Sequence, residues 1–202
     1  MNKTKSKPYN LLHITSNINA KLILKSGFKL SEHKPKLNQN QWLGDGVYFW
    51  DGNDDGIEEF GKEVLKNKFS KKDMVSIYGS ISIEKEKHIN LEKDSDREDF
   101  CNFIKHNFKK GEEILNLISI LRKKPNVKKT EMAKIGKFLG VCINMYMIFL
   151  KEKNCNIDMV SCYFYHGTGL LNFFGRSEKA RRQFCIKNIE FLNNNINDFK
   201  IY

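Results

Sequence analysis

At 202 residues, with 40% hydrophobic and 12% aromatic residues and a formal charge of +11, the chain is long enough to bury the core of one globular domain. Its longest apolar stretch, residues 138–150, is too short to cross a membrane, and its five irregularly spaced cysteines argue against a disulfide framework or a zinc site. Since the basic N-terminus has no apolar core of the signal-peptide type, we expect one cytoplasmic domain over residues 1–202 that contacts no membrane and holds no metal.

The positive charge bears on the partners that the chain could bind. Basic residues concentrate in residues 105–110, 122–129 and 176–187. Such a field attracts polyanions and speeds encounters with them, which favours a nucleic acid as a partner. Lysines on solvated helix faces would give the same composition, and no RNA- or DNA-binding motif with its own geometry is present. Both interpretations stay open from composition alone.

Hydrophobic periodicity and turn residues predict an α+β fold. Ser16 is a candidate N-cap for the first helix, and Gly27 stands where a left-handed backbone would end that helix. The further elements predicted in chain order are strands at residues 9–14 and 47–50, a helix at 57–69, strands at 74–83 and 89–91, helices between 94 and 152, and strands at 159–165 and 183–187. Strands from both ends of the chain therefore enclose an inserted helical segment, roughly residues 94–152.

Three short clusters stand out within this framework, each weak evidence alone. They are His13-Ile14-Thr15, Gly44-Asp45-Gly46-Val47-Tyr48-Phe49 and Gln183-Phe184-Cys185-Ile186-Lys187-Asn188. In this order and spacing they resemble the histidine-tyrosine-glutamate triad of the diphtheria-toxin/poly(ADP-ribose) polymerase branch of the ADP-ribosyltransferases. The resemblance implies a split mixed or antiparallel β-sheet that clamps NAD, and transfer of ADP-ribose to a nucleophile with release of nicotinamide.

The resemblance also implies a role for each residue of the first two clusters. His13 would bond a hydroxyl of the adenosine-side ribose, the backbone of Ile14 would hold the nicotinamide carboxamide, and Thr15 would support the strand end. Tyr48 would stack on the nicotinamide, and Gly46 would let the backbone approach closely. Ile14 stands where many family members have Gly, so its side chain would narrow the pocket.

The third cluster departs from the family pattern because Gln183 stands where the family has its catalytic glutamate. An amide keeps the hydrogen bond to the 2′-hydroxyl of the nicotinamide ribose, but it supplies neither negative charge nor a general base. Mono-transfer or NAD binding is then expected, and extension into a polymer is not. Glu178 is a second candidate for the missing carboxylate, and Arg181 and Arg182 are expected to bind the acceptor.

A second histidine motif competes with His13. Tyr165-His166-Gly167-Thr168 matches the family's histidine motif more closely, but it lies too near the C-terminus for the tyrosine and glutamate strands to follow it. We therefore expect His13 to be the NAD histidine.

Two functions of different classes follow. The first is an NAD-dependent mono-ADP-ribosyltransferase of the kind found among bacterial toxin–antitoxin and phage-defence effectors. Its acceptor would be RNA or DNA, given the charge, with protein as the alternative, and an antitoxin protein would be a further partner. The second function is a catalytically inactive NAD- or nucleic-acid-binding module of the same fold. Transfer of label from NAD distinguishes the two.

Overall fold

The computed structural model of the chain describes residues 5–31, 41–122, 129–165, 170–171 and 180–202. These residues form six α-helices and eight strands. In chain order the elements are β1 (Ser6–Ser16), α1 (Asn17–Ser26), β2 (Val47–Asp51), α2 (Ile57–Leu65), β3 (Met74–Glu84), β4 (His88–Asn90), α3 (Asp94–Asn107), α4 (Gly111–Arg122), α5 (Lys129–Glu152), β5 (Met159–Tyr165), β6 (Leu170–Leu171), β7 (Ala180–Ile186), α6 (Ile189–Asn194) and β8 (Lys200–Ile201).

The strands belong to one mixed sheet. Its order is β4-β5-β7-β2-β1-β3-β8, and β6 pairs with β5 outside this path. β4 and β5 run parallel, and the other described pairs run antiparallel. The helices α3 to α5 connect the parallel pair, as a parallel connection needs a crossover from one end of the sheet to the other. The predicted α+β class, with strands from both chain ends around a helical insertion, is confirmed.

The sheet buries a hydrophobic core on each face. Leu12, Ile14 and Trp50 pack with residues of α2, α3 and α5, and we call this side the α5 face. Leu11 and Phe49, at alternate positions of the same two strands, pack with residues of α1 and α6 on the α1 face. Because successive side chains of a strand point to opposite faces, sequence parity decides which core a residue enters.

The predicted cap and stop of α1 are both confirmed. The Ser16 hydroxyl accepts a hydrogen bond from the Asn19 N–H at 3.3 Å, as an N-cap does. Gly27 ends the helix at a φ of +85°, and a Cβ there would lie 2.7 Å from the Asn193 side chain. That side chain accepts a hydrogen bond from the Phe28 N–H at 2.7 Å. Glycine therefore lets the end of α1 dock closely against α6.

Several boundaries differ from the sequence prediction. β1 begins earlier than predicted because β3 pairs with it along its whole length, and the predicted helix at residues 57–69 ends at Leu65. β7 begins at Ala180, where it meets the end of β5, so Gln183 lies inside the strand rather than at its start. The short elements β6, α6 and β8 were not predicted, since two to six residues carry too little periodicity. None of the described helices is both long and apolar enough to cross a membrane.

A hydrogen-bond chain ties the edge strand β4 to the centre of the sheet. The Tyr9 hydroxyl lies 2.8 Å from Nδ1 of His88, and Nε2 of His88 lies 2.9 Å from the Ser161 hydroxyl. Burial lowers the pKa of His88 to about 4. The ring is therefore neutral in the folded protein at neutral pH.

We expect acid to destabilise the fold through His88. An ordinary histidine has a pKa of 6.5, whereas that of His88 is about 4, so the unfolded chain binds this proton first as the pH falls. The stability contributed by the neutral ring is lost between these two values, by up to about 3 kcal/mol. Urea unfolding from about pH 7 to pH 4 should show a shallower decline for His88→Gln than for the wild type. His106→Gln, exposed on α3, is the control, and equal declines in all three proteins would contradict the assignment.

Candidate functional site

β1 and β2 diverge after two residue pairs. β1 pairs with β3 along its full length, but it pairs with β2 only at Leu11 and Leu12. β2 meanwhile stays paired with β7 from Val47 to Trp50. A gap between these two neighbouring strands therefore opens at His13, inside the sheet. We call it the β1–β2 gap; it lies between residues 13–16 of β1 and the first residues of β2.

The side chain of His13 bridges the β1–β2 gap. Its Nδ1 lies 2.9 Å from the backbone carbonyl oxygen of Tyr48. Because a carbonyl oxygen only accepts, Nδ1 carries the proton, and Nε2 of the neutral ring is an acceptor. Burial lowers the pKa of His13, which keeps the ring neutral. The ring packs against Phe28 and Phe49, with centroids 5.5 Å apart in each case, and so belongs to the α1 face.

The backbone of Ile14 points into the gap. Along an antiparallel strand, the N–H and C=O groups of successive residues face the two neighbouring strands in turn. Ser76 lies opposite Ile14 on β3, and its backbone carbonyl accepts a hydrogen bond from the Tyr202 N–H at 2.9 Å, on the side of β3 that faces away from β1. Asn10 lies four residues before Ile14, so its backbone groups face the same way, and its carbonyl accepts from the Gly52 N–H on the β2 side at 2.9 Å. Both contacts direct the N–H and C=O of Ile14 away from β3 and toward the gap.

The side chain of Ile14 lies elsewhere. It is 5% exposed and belongs to the core of the α5 face. A Cβ added to Gly61 of α2 would lie 2.3 Å from Cδ1 of Ile14, so a glycine is needed for this close approach. Ile14 thus packs beneath α2, on the face of the sheet that Tyr48 also enters. Thr15, also expected at the site, is buried, and its Oγ1 lies 3.5 Å from the Asn19 side-chain nitrogen of α1.

Tyr48 lies on the α5 face, and its hydroxyl is engaged by the turn that precedes it. The hydroxyl donates to the Gly44 carbonyl at 2.7 Å and accepts from the Leu43 N–H at 3.0 Å. Burial raises the pKa of Tyr48 well above its ordinary value. The Lys187 ammonium holds the same turn by donating to the carbonyls of Leu43 and Asp45. Tyr48 therefore fixes the shape of the segment that leads into β2.

The two glycines of this turn allow close contact with α5 and β7. Gly44 has a φ of +73°, and a Cβ there would lie 2.1 Å from the Asn144 side-chain oxygen. A Cβ on Gly46 would lie 2.3 Å from the Cys185 sulfur. Asn144 also accepts a hydrogen bond from the Asp45 N–H at 2.8 Å. The turn is thereby attached to the neighbouring helix and strand.

Removal of the Tyr48 hydroxyl should loosen this turn. Tyr48→Phe deprives the Gly44 carbonyl and the Leu43 N–H of their shared partner, so we expect the free energy of unfolding to fall by about 1–2 kcal/mol. Urea unfolding measures the change, with Tyr202→Phe as the control because Tyr202 is 73% exposed. Equal midpoints for wild type and Tyr48→Phe would show that the hydroxyl does not hold the turn.

Gln183 lies beside Trp50 of β2 and Cys162 of β5. It shares its parity with Cys185, which is buried in the core of the α5 face, so Gln183 points to that face. Cys185 is directly opposite Tyr48, which makes Gln183 and Tyr48 diagonal neighbours, a spacing of about 7–8 Å in antiparallel sheets. The structure thus brings Tyr48 and Gln183 together on one face.

The rings of His13 and Tyr48 do not share a face. In the register of β1 and β2, Leu12 lies opposite Trp50, which places His13 level with Phe49. His13 and Phe49 then enter the α1 face, while Tyr48 enters the α5 face. The contact between the two predicted residues is made by the His13 ring and the Tyr48 backbone, at the edge of the β1–β2 gap.

Arg182 occupies a polar cluster on the α1 face, on the opposite side of β7 from Gln183. Its Nε donates to Oε1 of Glu92 at 2.8 Å, its Nη2 to Oε2 at 2.5 Å, and its Nη1 to the Asp51 carboxylate at 3.4 Å. Nη2 also lies 3.2 Å from the Tyr163 hydroxyl. With its guanidinium engaged by two carboxylates, Arg182 has few donors left for an acceptor.

The remaining predicted residues divide between described and undescribed parts of the chain. Arg181 lies two residues before Gln183 on β7, so its side chain points to the same α5 face. Its guanidinium lies 5.8 Å from the ring centroid of Phe60 on α2. Glu178 and His166 lie outside the described residues. Within the part of the chain that is described, no three His, Cys, Asp or Glu side chains form a group that could hold a metal ion.

Sequence reasoning missed the residues that hold the candidate site in place. Glu92 lies 90 positions from its partner Arg182, and no local pattern connects the two. Asn144 did carry a signal, because a polar amide interrupts an otherwise apolar helical stripe, and such residues usually have a specific hydrogen-bond partner. Lys187 gave none, since a lysine after a strand is normally solvated.

The chain matches no known protein family, no curated protein and no solved structure with which it was compared. Its function must therefore be inferred from the geometry of the β1–β2 gap and the residues around it.

Proposed function

We propose that the protein binds NAD at the β1–β2 gap and acts as a mono-ADP-ribosyltransferase with the split sheet of the diphtheria-toxin/poly(ADP-ribose) polymerase type. The observation that carries this proposal is the gap itself, into which Ile14 directs one N–H and one C=O. A primary carboxamide such as that of nicotinamide offers one acceptor and two donors. It can therefore pair with a strand backbone at both groups, as a neighbouring strand would.

The neutral, Nδ1-protonated ring of His13 supports a second contact with NAD, a hydrogen bond from a ribose hydroxyl. Nδ1 is used by the Tyr48 carbonyl, and Nε2 of the neutral ring offers a lone pair. A ribose hydroxyl can donate to it, whereas a cationic imidazole could only donate. The lowered pKa of His13 thus matches the role that the family resemblance implies for this residue.

Gln183 on β7 affects which kind of molecule we expect to accept ADP-ribose. Breaking the nicotinamide–ribose bond leaves positive charge on the sugar, and an amide at position 183 orients the ribose without countering that charge. An acceptor that brings its own negative charge would supply what Gln183 lacks. The formal charge of +11 favours such an acceptor, so we propose RNA or DNA before protein.

Incubation with NAD labelled in its adenosine phosphate, in separate pools of RNA, DNA and protein, tests the activity. We expect label in a nucleic-acid pool and none with Gln183→Ala, while Gln183→Glu restores the family's carboxylate and should raise transfer. NAD binding without transfer or hydrolysis would favour the alternative, an inactive binding module of the same fold. A folded protein that neither binds nor cleaves NAD would overturn the proposal.

Arg181 is the residue through which we expect the acceptor to be held, because it lies on β7 two residues from Gln183 and on the same face. Arg181→Glu should reduce labelling of nucleic acid about tenfold or more while leaving the Kd for NAD unchanged, and added salt should have the same effect. Lys109→Glu, an exposed charge reversal between α3 and α4, is the matched control. Salt-insensitive labelling confined to the protein pool would return the acceptor to protein.

A cytoplasmic role as a toxin or phage-defence effector, restrained by an antitoxin protein, completes the proposal. The family resemblance of the three clusters is what supports it.

A further inference from the structure

A cavity lies at the β4 edge of the sheet, and its described lining includes none of the residues of the proposed NAD site. It has a volume of about 410 Å³ and is bounded by the turn before β4, the first half of α3, the end of α5 and residues 155–157. Cavities of this size hold small organic molecules. Its lining combines the phenol of Tyr146, an apolar wall and charged side chains of both signs, which are Lys85, Glu86, Lys93, Asp96 and Asp99.

The phenol belongs to Tyr146 of α5. Its ring is 7% exposed and packs against Phe100 and Phe103, with centroids 5.4 and 5.0 Å away. Tyr146 lines the cavity, and its hydroxyl makes no hydrogen bond with any described residue. Native structures normally satisfy such polar groups with protein, water or ligand. The Tyr146 hydroxyl is thus an unused donor and acceptor inside the cavity.

The two aspartates lie one helical turn apart on α3 and give this end of the cavity a negative potential. Together with burial, Asp99 and Asp96 raise the pKa of Tyr146 to about 12. Asp96 is already engaged, since it forms an ion pair with Lys93 at 3.2 Å and accepts from the Asn90 N–H at 2.9 Å. Asp99 is exposed and makes no ion pair with any described residue. One carboxylate therefore remains for a ligand.

The opposite side of the cavity is apolar. Ile89 of β4, Leu150 of α5 and Ile157 of the following segment contribute its hydrocarbon surface. A ligand that fills the cavity would accordingly carry a charged end toward α3 and an apolar body toward the sheet edge.

We propose that this cavity binds a small organic ammonium ion. The nitrogen donates to the Asp99 carboxylate and to the Tyr146 hydroxyl oxygen, and the hydrocarbon lies on Ile89, Leu150 and Ile157. An ammonium has three donors and no acceptor, which suits a carboxylate beside a phenol oxygen. Lys85 and Lys93 also line the cavity, but the pKa of Tyr146 responds to Asp99 and Asp96 and to neither lysine, so an anion at the phenol would meet like charges. A neutral alcohol would leave Asp99 without a counter-ion.

The probe for this site is n-butylamine, with n-butanol and butyrate as controls of similar size. Cys155 lines the cavity and is exposed, so its alkylation by iodoacetamide, followed by mass spectrometry of its peptide, reports occupancy locally. We expect n-butylamine to slow Cys155 alkylation saturably and severalfold, and to leave Cys101 on α3 unaffected. The alcohol and the carboxylate should not protect Cys155.

Two variants test the contacts independently. Tyr146→Phe keeps the ring packing and Asp99→Asn removes a surface charge, so both should fold, and each should raise the half-protecting concentration of n-butylamine about tenfold. Glu98→Gln, the adjacent exposed residue outside the cavity lining, is the matched control and should behave as the wild type. No saturable protection, equal protection by all three compounds, or unchanged protection in both variants would overturn the proposal. NAD binding plays no part in this assay, so its outcome is independent of the proposed transferase activity.

Discussion

Replacing His13 with alanine should abolish transfer of ADP-ribose from NAD, because the ring does two things at the β1–β2 gap. Its Nδ1–H donates to the Tyr48 carbonyl, and Nε2 of the neutral ring remains as an acceptor. His13→Ala removes both and leaves the Tyr48 carbonyl without this donor. We expect the free energy of unfolding to fall by about 1–3 kcal/mol and labelling to disappear.

Two amide variants separate the tasks of His13. The side-chain nitrogen of asparagine can occupy the position of Nδ1, so His13→Asn should keep the bond to Tyr48 and most of the stability but lose transfer. His13→Gln places its polar group near the position of Nε2. It should therefore lose the hydrogen bond to the Tyr48 carbonyl and the stability that this bond contributes. His106→Ala, an exposed histidine on α3, controls for removal of an imidazole. Wild-type transfer by a folded His13→Asn would refute a direct role for Nε2.

Replacing Arg182 with methionine should be among the most destabilising single changes in the protein. The guanidinium is 26% exposed, and its partners Glu92 and Asp51 are 11% and 13% exposed. Met keeps much of the volume but leaves two carboxylates facing each other without a cation. Removing one partner of a buried pair costs several kcal/mol, and with this partial exposure we expect about 2–4 kcal/mol.

The control for Arg182 is Lys66→Met. Lys66 pairs with Glu63, and their side chains are 50% and 42% exposed, so its loss should cost less than about 1 kcal/mol. Adding Glu92→Gln to Arg182→Met should recover part of the stability, because a neutral amide replaces an unpaired charge. Urea unfolding of the four proteins gives the comparison. If Arg182→Met and Lys66→Met cost the same, the cluster is not a buried ion network.

The order of the longer elements could be predicted because each depends on local periodicity. The apolar alternation at residues 74–83, the cap at Ser16 and the stop at Gly27 are properties of short segments, and the structure has all three. The β1–β2 gap could not be predicted in this way. It depends on β1 pairing with β3 over eleven residues while β2 pairs with β7, and these contacts join distant parts of the chain.

Register also decided which predicted residues could meet. A shift of one residue between β1 and β2 would move Tyr48 level with His13 and put both rings on one face. The observed pair of Leu12 and Trp50 instead sets His13 level with Phe49. The sequence contains the parity within each strand but not the offset between strands, so the relative directions of the His13 and Tyr48 side chains could not be predicted from it.

The two arginines of β7 could not be distinguished from the sequence either. Arg181 and Arg182 are adjacent residues of the same type, and the sequence predicts the same role, binding of the acceptor, for both. Strand alternation sends Arg181 toward Phe60 on the α5 face and Arg182 toward Glu92 on the α1 face. Adjacent residues of a strand therefore need separate functional hypotheses.

The position of β7 in the chain has a consequence for synthesis. This strand lies between β5 and β2 in the sheet, yet β8 is the only described strand that follows it in the sequence. While the ribosome is still translating the segment before residue 180, β2 and β5 each present an unpaired edge, and the two halves of the sheet have no strand to join them. A nascent chain therefore contains β1 and β2, the two strands that border the gap, long before β7 brings Gln183 beside Tyr48. The site proposed around the gap is accordingly complete only after β7 has been translated and has paired with both halves of the sheet.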